Sequence, residues 1–184
     1  MSPRIAQVIN EIRPARPSDS RRVAMLHAVV FGPGRFARTA YRIRERALGV
    51  GTFGWVAELN FNLIAAVTFT HVTIGVRSGA LLLGPVAVAP NYTGLGLGSK
   101  VVARGLDAAR DCGSVLAVLV GDIEYYGRMG FAPAPSGQIV FPGPVDQRRV
   151  LVSELAPGNL SKFRGPISAE RPRDPKPFDP VATD

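Results

Sequence analysis

Pro90-Asn91-Tyr92-Thr93-Gly94-Leu95-Gly96-Leu97-Gly98-Ser99 is the stretch whose reading decides the fold. It follows the apolar run 81–89, which reads as a buried strand, and leads into 100–111, where apolar residues recur at helical spacing. A strand, a Gly-rich turn and a helix in that order build an anion site. Glycines let main-chain N–H groups converge, and the helix start adds the positive end of its dipole. The expected guest is a phosphate or pyrophosphate.

Upstream of the turn, residues 12–15 read as a short strand, with Ser18, Asp19 or Ser20 as the N-cap of a helix striped by Val23, Leu26 and Val30. Gly32-Pro33-Gly34 breaks that helix. Residues 35–48 read as a second one, with Phe36, Ala40, Ile43 and Ala47 on one face and Arg35, Arg38, Arg42 and Arg46 on another. Residues 54–59 and 63–73 read as a hairpin turning at 60–62. The third strand, 80–89, is apolar almost throughout, as a strand buried on both faces would be.

Downstream, Val101, Val102, Leu106 and Ala109 give the helix an inward face that ends at Cys112-Gly113. The run 115–120 then reads as a parallel strand reached by a crossover. A short helix over 121–129 and strands at 138–141 and 149–155 follow. The fold class is α/β, a mixed central sheet of about six or seven strands flanked by helices. Residues 1–159 read as one domain and 160–184 as a Pro-rich tail, disordered from about residue 171 onward.

Charge is unevenly spread. The net charge is +8, and residues 1–50 carry ten Arg against Glu11, Asp19 and Glu45. The Gly-rich region is neutral overall, so basicity belongs to the N-terminal part, as a solvated helix face or a patch that steers an acidic ligand. Cys112 is the single cysteine, which excludes an intrachain disulfide and favours a reducing compartment. Residues 1–10 lack the apolar core of a secretion signal, and no apolar run approaches a membrane span. A cytoplasmic protein, not bound to membrane, is expected. His27 and His71 lack metal-ligand spacing, so no metal is expected.

Spacing narrows the phosphate compound. A P-loop needs Gly-x-x-x-x-Gly-Lys-Ser/Thr, whereas Gly98-Ser99-Lys100 reverses the last pair. A dinucleotide fold needs Gly-x-Gly-x-x-Gly, which Gly94-Leu95-Gly96-Leu97-Gly98 does not supply. The segment 86–98 instead resembles the GNAT superfamily of acetyl-CoA-dependent N-acetyltransferases, whose signature Gln/Arg-x-x-Gly-x-Gly/Ala follows a strand ending near a proline. Thr93, Gly94, Leu95, Gly96, Leu97 and Gly98 occupy those places, and Thr93 departs from Gln/Arg. Tyr126-Gly127-Arg128-Met129-Gly130-Phe131 is similar to the family's Tyr-x-x-x-Gly-Phe segment.

The resemblance implies direct acetyl transfer from acetyl-CoA to an amine, of a small molecule or a protein. It implies that main-chain groups of Ala87 and Val88 face the thioester and pantetheine, that residues 94–99 (Gly94 to Ser99) hold the pyrophosphate, and that Tyr126 protonates the leaving thiolate. A phenol of ordinary pKa about 10 suits a thiolate of about 8.5. Some members take the amine proton with a Glu on the central strand, but 81–89 holds no acidic residue. Glu58 is the only carboxylate of the first hairpin and is the catalytic candidate; His71 is a second, and loss of the proton to water is a third route. A homodimer fits the superfamily's habit. The rival readings are a non-catalytic acyl-CoA-binding module and a nucleic-acid-binding protein using the Arg face. Few aromatics stand near that face to stack on bases, so no nucleic acid is expected.

Overall fold

The computed structural model describes residues 11–33, 39–47 and 51–170. The first part of the predicted second helix, with Arg35, Phe36 and Arg38, and the tail from residue 171 lie outside the described residues.

Four strands start the sheet: β1 (Glu11–Pro14), β2 (Thr52–Leu59), β3 (Asn62–Ile74) and β4 (Arg77–Val88). Each pairs antiparallel with the next. The β2–β3 turn falls where Asn60 and Phe61 both take positive φ, 47° and 64°. That handedness matches the twist of a tight hairpin. β4 pairs in parallel with β5 (Leu116–Val120), and helix α3 (Leu97–Asp111) crosses between them. β5 continues to β8 (Val150–Glu154) and β8 to β6 (Ala132–Pro133), both antiparallel. Nine strands are present among the described residues, against about six or seven from the sequence pattern. The additions are short pieces that periodicity does not register.

The predicted tail starts later than residue 160. Residues 160–162 make a 3-10 turn, and β9 (Gly165–Ala169) pairs with the far end of β3 and with β7 (Ile139–Val140). Phe163 and Ile167 are buried there, which is why this stretch joins the domain.

Helix α1 (Ser20–Phe31) and α2 (Thr39–Arg46) lie on one face of the sheet, and α3 lies on the other. Alternation along the strands divides the core accordingly. Leu81, Leu83, Ala117 and Leu119 pack with Val101, Val102, Leu106 and Ala109 of α3. Ala80, Leu82, Leu116 and Val118 pack with Ile43 of α2. Val56, Ala66 and Ala87 pack with Leu26 of α1. The central apolar runs are therefore buried on both sides, as their patterning predicts. Of the predicted second helix, Ile43 and Ala47 are buried while Arg42 and Arg46 are exposed.

Helix α3 approaches β3 closely at Gly105, where a Cβ would stand 2.1 Å from Cε2 of the buried Phe69 ring. Gly105→Ala is therefore expected to lower stability by about 1–3 kcal/mol through overpacking. Its urea midpoint should fall without a change in slope; an unchanged midpoint would contradict this packing.

Candidate functional site

β4 and β5 stay paired only over Ala80–Leu82 against Leu116–Val118. Beyond that, Gly84 and Pro85 stand opposite the single Thr68, between the pairs Leu83–Phe69 and Val86–Val67. An extra residue bends a strand, and Pro85 has no N–H to offer a ladder. The strands part, leaving a gap between 83–88 of β4 and the chain that follows β5. Ala89 donates its N–H to the Ile64 carbonyl across β3. With a period of two, Ala87 also turns its main chain to β3, and Val86 and Val88 turn theirs to the gap. Ala87, expected with Val88 to turn its main chain to the thioester and pantetheine, instead gives its main chain to the ladder and buries its side chain beside Leu26 of α1, whereas Val88 keeps its main-chain groups at the gap.

The Gly-rich turn closes one end of the gap. Thr93 follows a 3-10 turn, Pro90–Tyr92, and donates its hydroxyl to the Pro90 carbonyl at 3.0 Å. Gly94 and Gly96 take left-handed φ of 78° and 73°, and a Cβ on either would meet nothing within 4 Å. These two glycines are required by backbone conformation, not by crowding. Gly96 is the N-cap of α3, which starts at Leu97, three residues earlier than the pattern suggests. The N–H groups of Leu97, Gly98 and Ser99 have no intrahelical carbonyl to donate to. Gly98 differs from the other two: a Cβ there would meet the Tyr125 hydroxyl at 2.3 Å and the methyls of Val86 and Val88 at 3.5 Å.

Helix α4 (Ile123–Tyr126) follows β5, and its Tyr125 hydroxyl reaches Gly98 at the head of α3. Tyr126 is half-buried, edge-on to Tyr125 at 4.9 Å and to Phe131 at 5.9 Å between ring centroids. Its ring lies over Gly121, where a Cβ would come within 2.4 Å of Cε2. Burial, helped by Tyr125 and Asp122, pushes the Tyr126 phenol up to about 12. It keeps its proton throughout the neutral range. Tyr126 and Val86 also line a cleft of about 650 Å³ that opens on the α1–α2 side. His27 of α1, Tyr41 and Arg44 of α2, and the loop carrying Asp146 and Arg149 form its other walls. Nothing in the sequence marks these residues as neighbours, because they come from three separate segments.

Glu58 is placed otherwise than a free base would be. It is not among the cleft-lining residues. One carboxylate oxygen accepts from Arg13 at 2.7 Å and the other from Arg22 at 3.0 Å. The Arg13 guanidinium, with Arg22 second, holds this carboxyl below the usual Glu range. Arg13 is itself buried and makes a two-bond contact with buried Asp19, at 2.6 and 3.1 Å. Asp19 sits at the α1 N-cap position but spends its oxygens on Arg13, Arg22 and the Arg16 N–H. Part of the N-terminal positive charge is thus consumed inside the fold, tying β1 to α1 and β2. His71, the second base candidate, packs against Phe53 at 5.7 Å and is likewise absent from the cleft wall. Burial lowers its pKa.

Comparison with known proteins bears on this arrangement. The family model described as an acetyltransferase (GNAT) domain matches residues 11–134. The Escherichia coli protein named uncharacterized N-acetyltransferase YjhQ is 26% identical over 130 residues, 69% of this chain and 71% of its own. The crystal structure of GNAT family N-acetyltransferase YhbS from Escherichia coli in complex with CoA superimposes with a TM-score of 0.75 at 27% identity, over 89% of this chain and 91% of that one. A GNAT family acetyltransferase from Brucella melitensis, in complex with acetyl-CoA, gives 0.60 at 32% identity, over 76% and 93%.

The buried ion pairs set an acid limit. Arg13 brings the Asp19 carboxyl down to about 2, against an ordinary 3.8. Its contribution is complete above the ordinary value and drains away as pH falls towards 2, to a total of about 2 kcal/mol. Urea unfolding at pH 7, 4 and 2.5 should show this loss between the two lower values. Asp19→Asn leaves Arg13 short of a partner, so at pH 7 it should cost about 3–5 kcal/mol and flatten the acid dependence. Equal acid slopes in both proteins would contradict the pairing.

Proposed function

The chain belongs to the GNAT acetyltransferase family, and from that premise we propose that it moves an acetyl group directly from acetyl-CoA to an amine acceptor within the β4–β5 gap. One observation carries the reading. Where β4 leaves β5, positive-φ glycines lead into the N-terminus of α3, and a phenol that holds its proton at neutral pH stands on the chain that follows β5.

The residues fit coenzyme A without rearranged chemistry. Gly94 and Gly96 open the turn without side chains in the way, so N–H groups of 94–99 converge on a diphosphate at the head of α3. Thr93 supports the turn through Pro90, and the cradle relies on main chain in place of a Gln or Arg side chain. Val86 and Val88 present N–H and C=O groups along the open strand edge, where a pantetheine amide finds partners. Acetyl-CoA, the co-substrate, supplies an activated acyl thioester. Tyr126, at the mouth of the gap, donates its phenolic proton to the leaving sulfur, and its raised pKa keeps that proton available at neutral pH. Glu58 serves the Arg13–Asp19–Arg22 cluster as an ion-pair partner. The amine enters through the cleft bounded by α1, α2 and the 144–149 loop.

Acetyl-CoA binding by calorimetry, followed by thiol release with a panel of amino acids, polyamines, aminoglycosides and peptides, tests the proposal. Binding with amine-dependent thiol release is expected. No binding would overturn the reading; binding with no transfer to any amine would favour a non-catalytic acyl-CoA module. Tyr126→Phe should lower kcat by about a hundredfold or more while leaving acetyl-CoA binding in place. An undiminished rate at every pH would remove Tyr126 as the acid.

A further inference from the structure

We propose that His27 of α1, which lines the same cleft as Tyr126, takes the proton from the acceptor amine. The inference rests on the acetyltransferase reading and completes it, since an amine arrives largely as ammonium and must lose a proton before it attacks.

The cleft wall leaves few groups for this task. Among the described residues, its titratable and charged side chains are His27 from α1, Tyr41 and Arg44 from α2, Tyr126 from α4, and Asp146 and Arg149 from the loop before β8. Arg44 and Arg149 stay protonated at any working pH. Tyr126 is an acid held at about 12. Asp146 accepts from the Arg148 guanidinium at 3.1 and 3.0 Å and from its N–H at 3.0 Å, which holds the carboxylate below its usual range. Tyr41 is a phenol, a poor proton acceptor near neutrality. Glu58 and His71, the candidates from the sequence, are not in the wall. Imidazole is the one side chain here whose ordinary pKa, about 6.5, suits a base at neutral pH.

Placement agrees with chemistry. His27 follows Leu26, which anchors α1 to Val56, Ala66 and Ala87. It is braced one turn on by Phe31, at 5.9 Å between ring centroids, and Phe31 lines the same cleft. The helix therefore holds the imidazole on the wall while β4 and α4 hold the reacting end. Proton and electron accounts close. His27 takes one proton from the ammonium, and the freed nitrogen lone pair forms the C–N bond. The C–S bond breaks with its electron pair on sulfur, which takes the Tyr126 proton. The second N–H proton returns to the Tyr126 oxygen through water, and His27 releases its own to solvent.

The test uses the full-length protein, acetyl-CoA and the best amine of the panel. In the wild type, kcat/KM should fall tenfold per pH unit on the acid limb of its profile, as a single essential base requires. His27→Gln should lower kcat by about a hundredfold or more and erase that limb, with acetyl-CoA binding retained. A His27→Gln enzyme that keeps both rate and limb overturns the inference and leaves the transferase reading standing. A wild type that transfers to no amine strikes both together. Should His27→Gln fail to fold, the two imidazole signals of the wild type decide by NMR, with His71→Gln assigning them. The His27 signal should titrate over the same pH range as the acid limb of kcat/KM and shift on saturation with acetyl-CoA; a signal that does neither overturns the inference.

Discussion

β4 cannot remain paired with β5 past Leu82, and the site depends on that failure. Two residues, Gly84 and Pro85, oppose one on β3, and proline contributes no donor to a ladder. If the pairing continued, Val86 and Val88 would satisfy their main-chain groups on β5 and no groove would exist. Because it stops, a strand edge with free polar groups lies in the middle of a sheet, flanked by apolar side chains. Exposed edges are usually a liability. Here the edge is short, running over Val86 and Val88, with the head of α3 packed beside it at Gly98.

The turn and α4 use opposite electrostatics. At the turn, positive-φ glycines expose backbone N–H groups and the start of a 15-residue helix, which favours negative charge without any ionisable side chain. At α4, burial keeps the Tyr126 phenol neutral and protonated. Gly98 joins them, since its lack of a side chain admits the Tyr125 hydroxyl between the turn and the Tyr126 pair. The basic N-terminal region contributes less to steering than its charge suggests. Arg13 and Arg22 are committed to Asp19 and Glu58, and that cluster sets the entry of α1 on which His27 rides.

Much of this was legible from residues alone. Glycines at 94, 96 and 98 between an apolar run and a helical stripe marked the strand–turn–helix, and the short helix read over 121–129 falls on α4 and the 3-10 turn that follows it. These are local patterns, and local patterns survive folding. The bulge was visible too, as a Gly-Pro pair inside a strand-like run, but the continuous apolar character of 80–89 hid it. Glu58 was misleading because its partners lie 45 and 36 residues away along the chain, and sequence spacing carries no record of an ion pair. The cleft wall was illegible for the same reason. His27, Tyr41, Arg44 and Asp146 meet only through packing of α1 and α2 on the sheet. Residues 160–170 looked like tail because they adjoin the Pro-rich stretch after 171 and carry no long apolar run, while two buried side chains, Phe163 and Ile167, decide otherwise.

The central claim is that one gap holds a coenzyme A diphosphate on backbone and its sulfur beside Tyr126. A crystal structure of the protein with coenzyme A tests this most directly. The account predicts diphosphate oxygens on the N–H groups of 94–99, the pantetheine arm along Val86 and Val88, and the sulfur within hydrogen-bond reach of the Tyr126 hydroxyl. A coenzyme bound elsewhere, or a sulfur directed away from Tyr126, would contradict it.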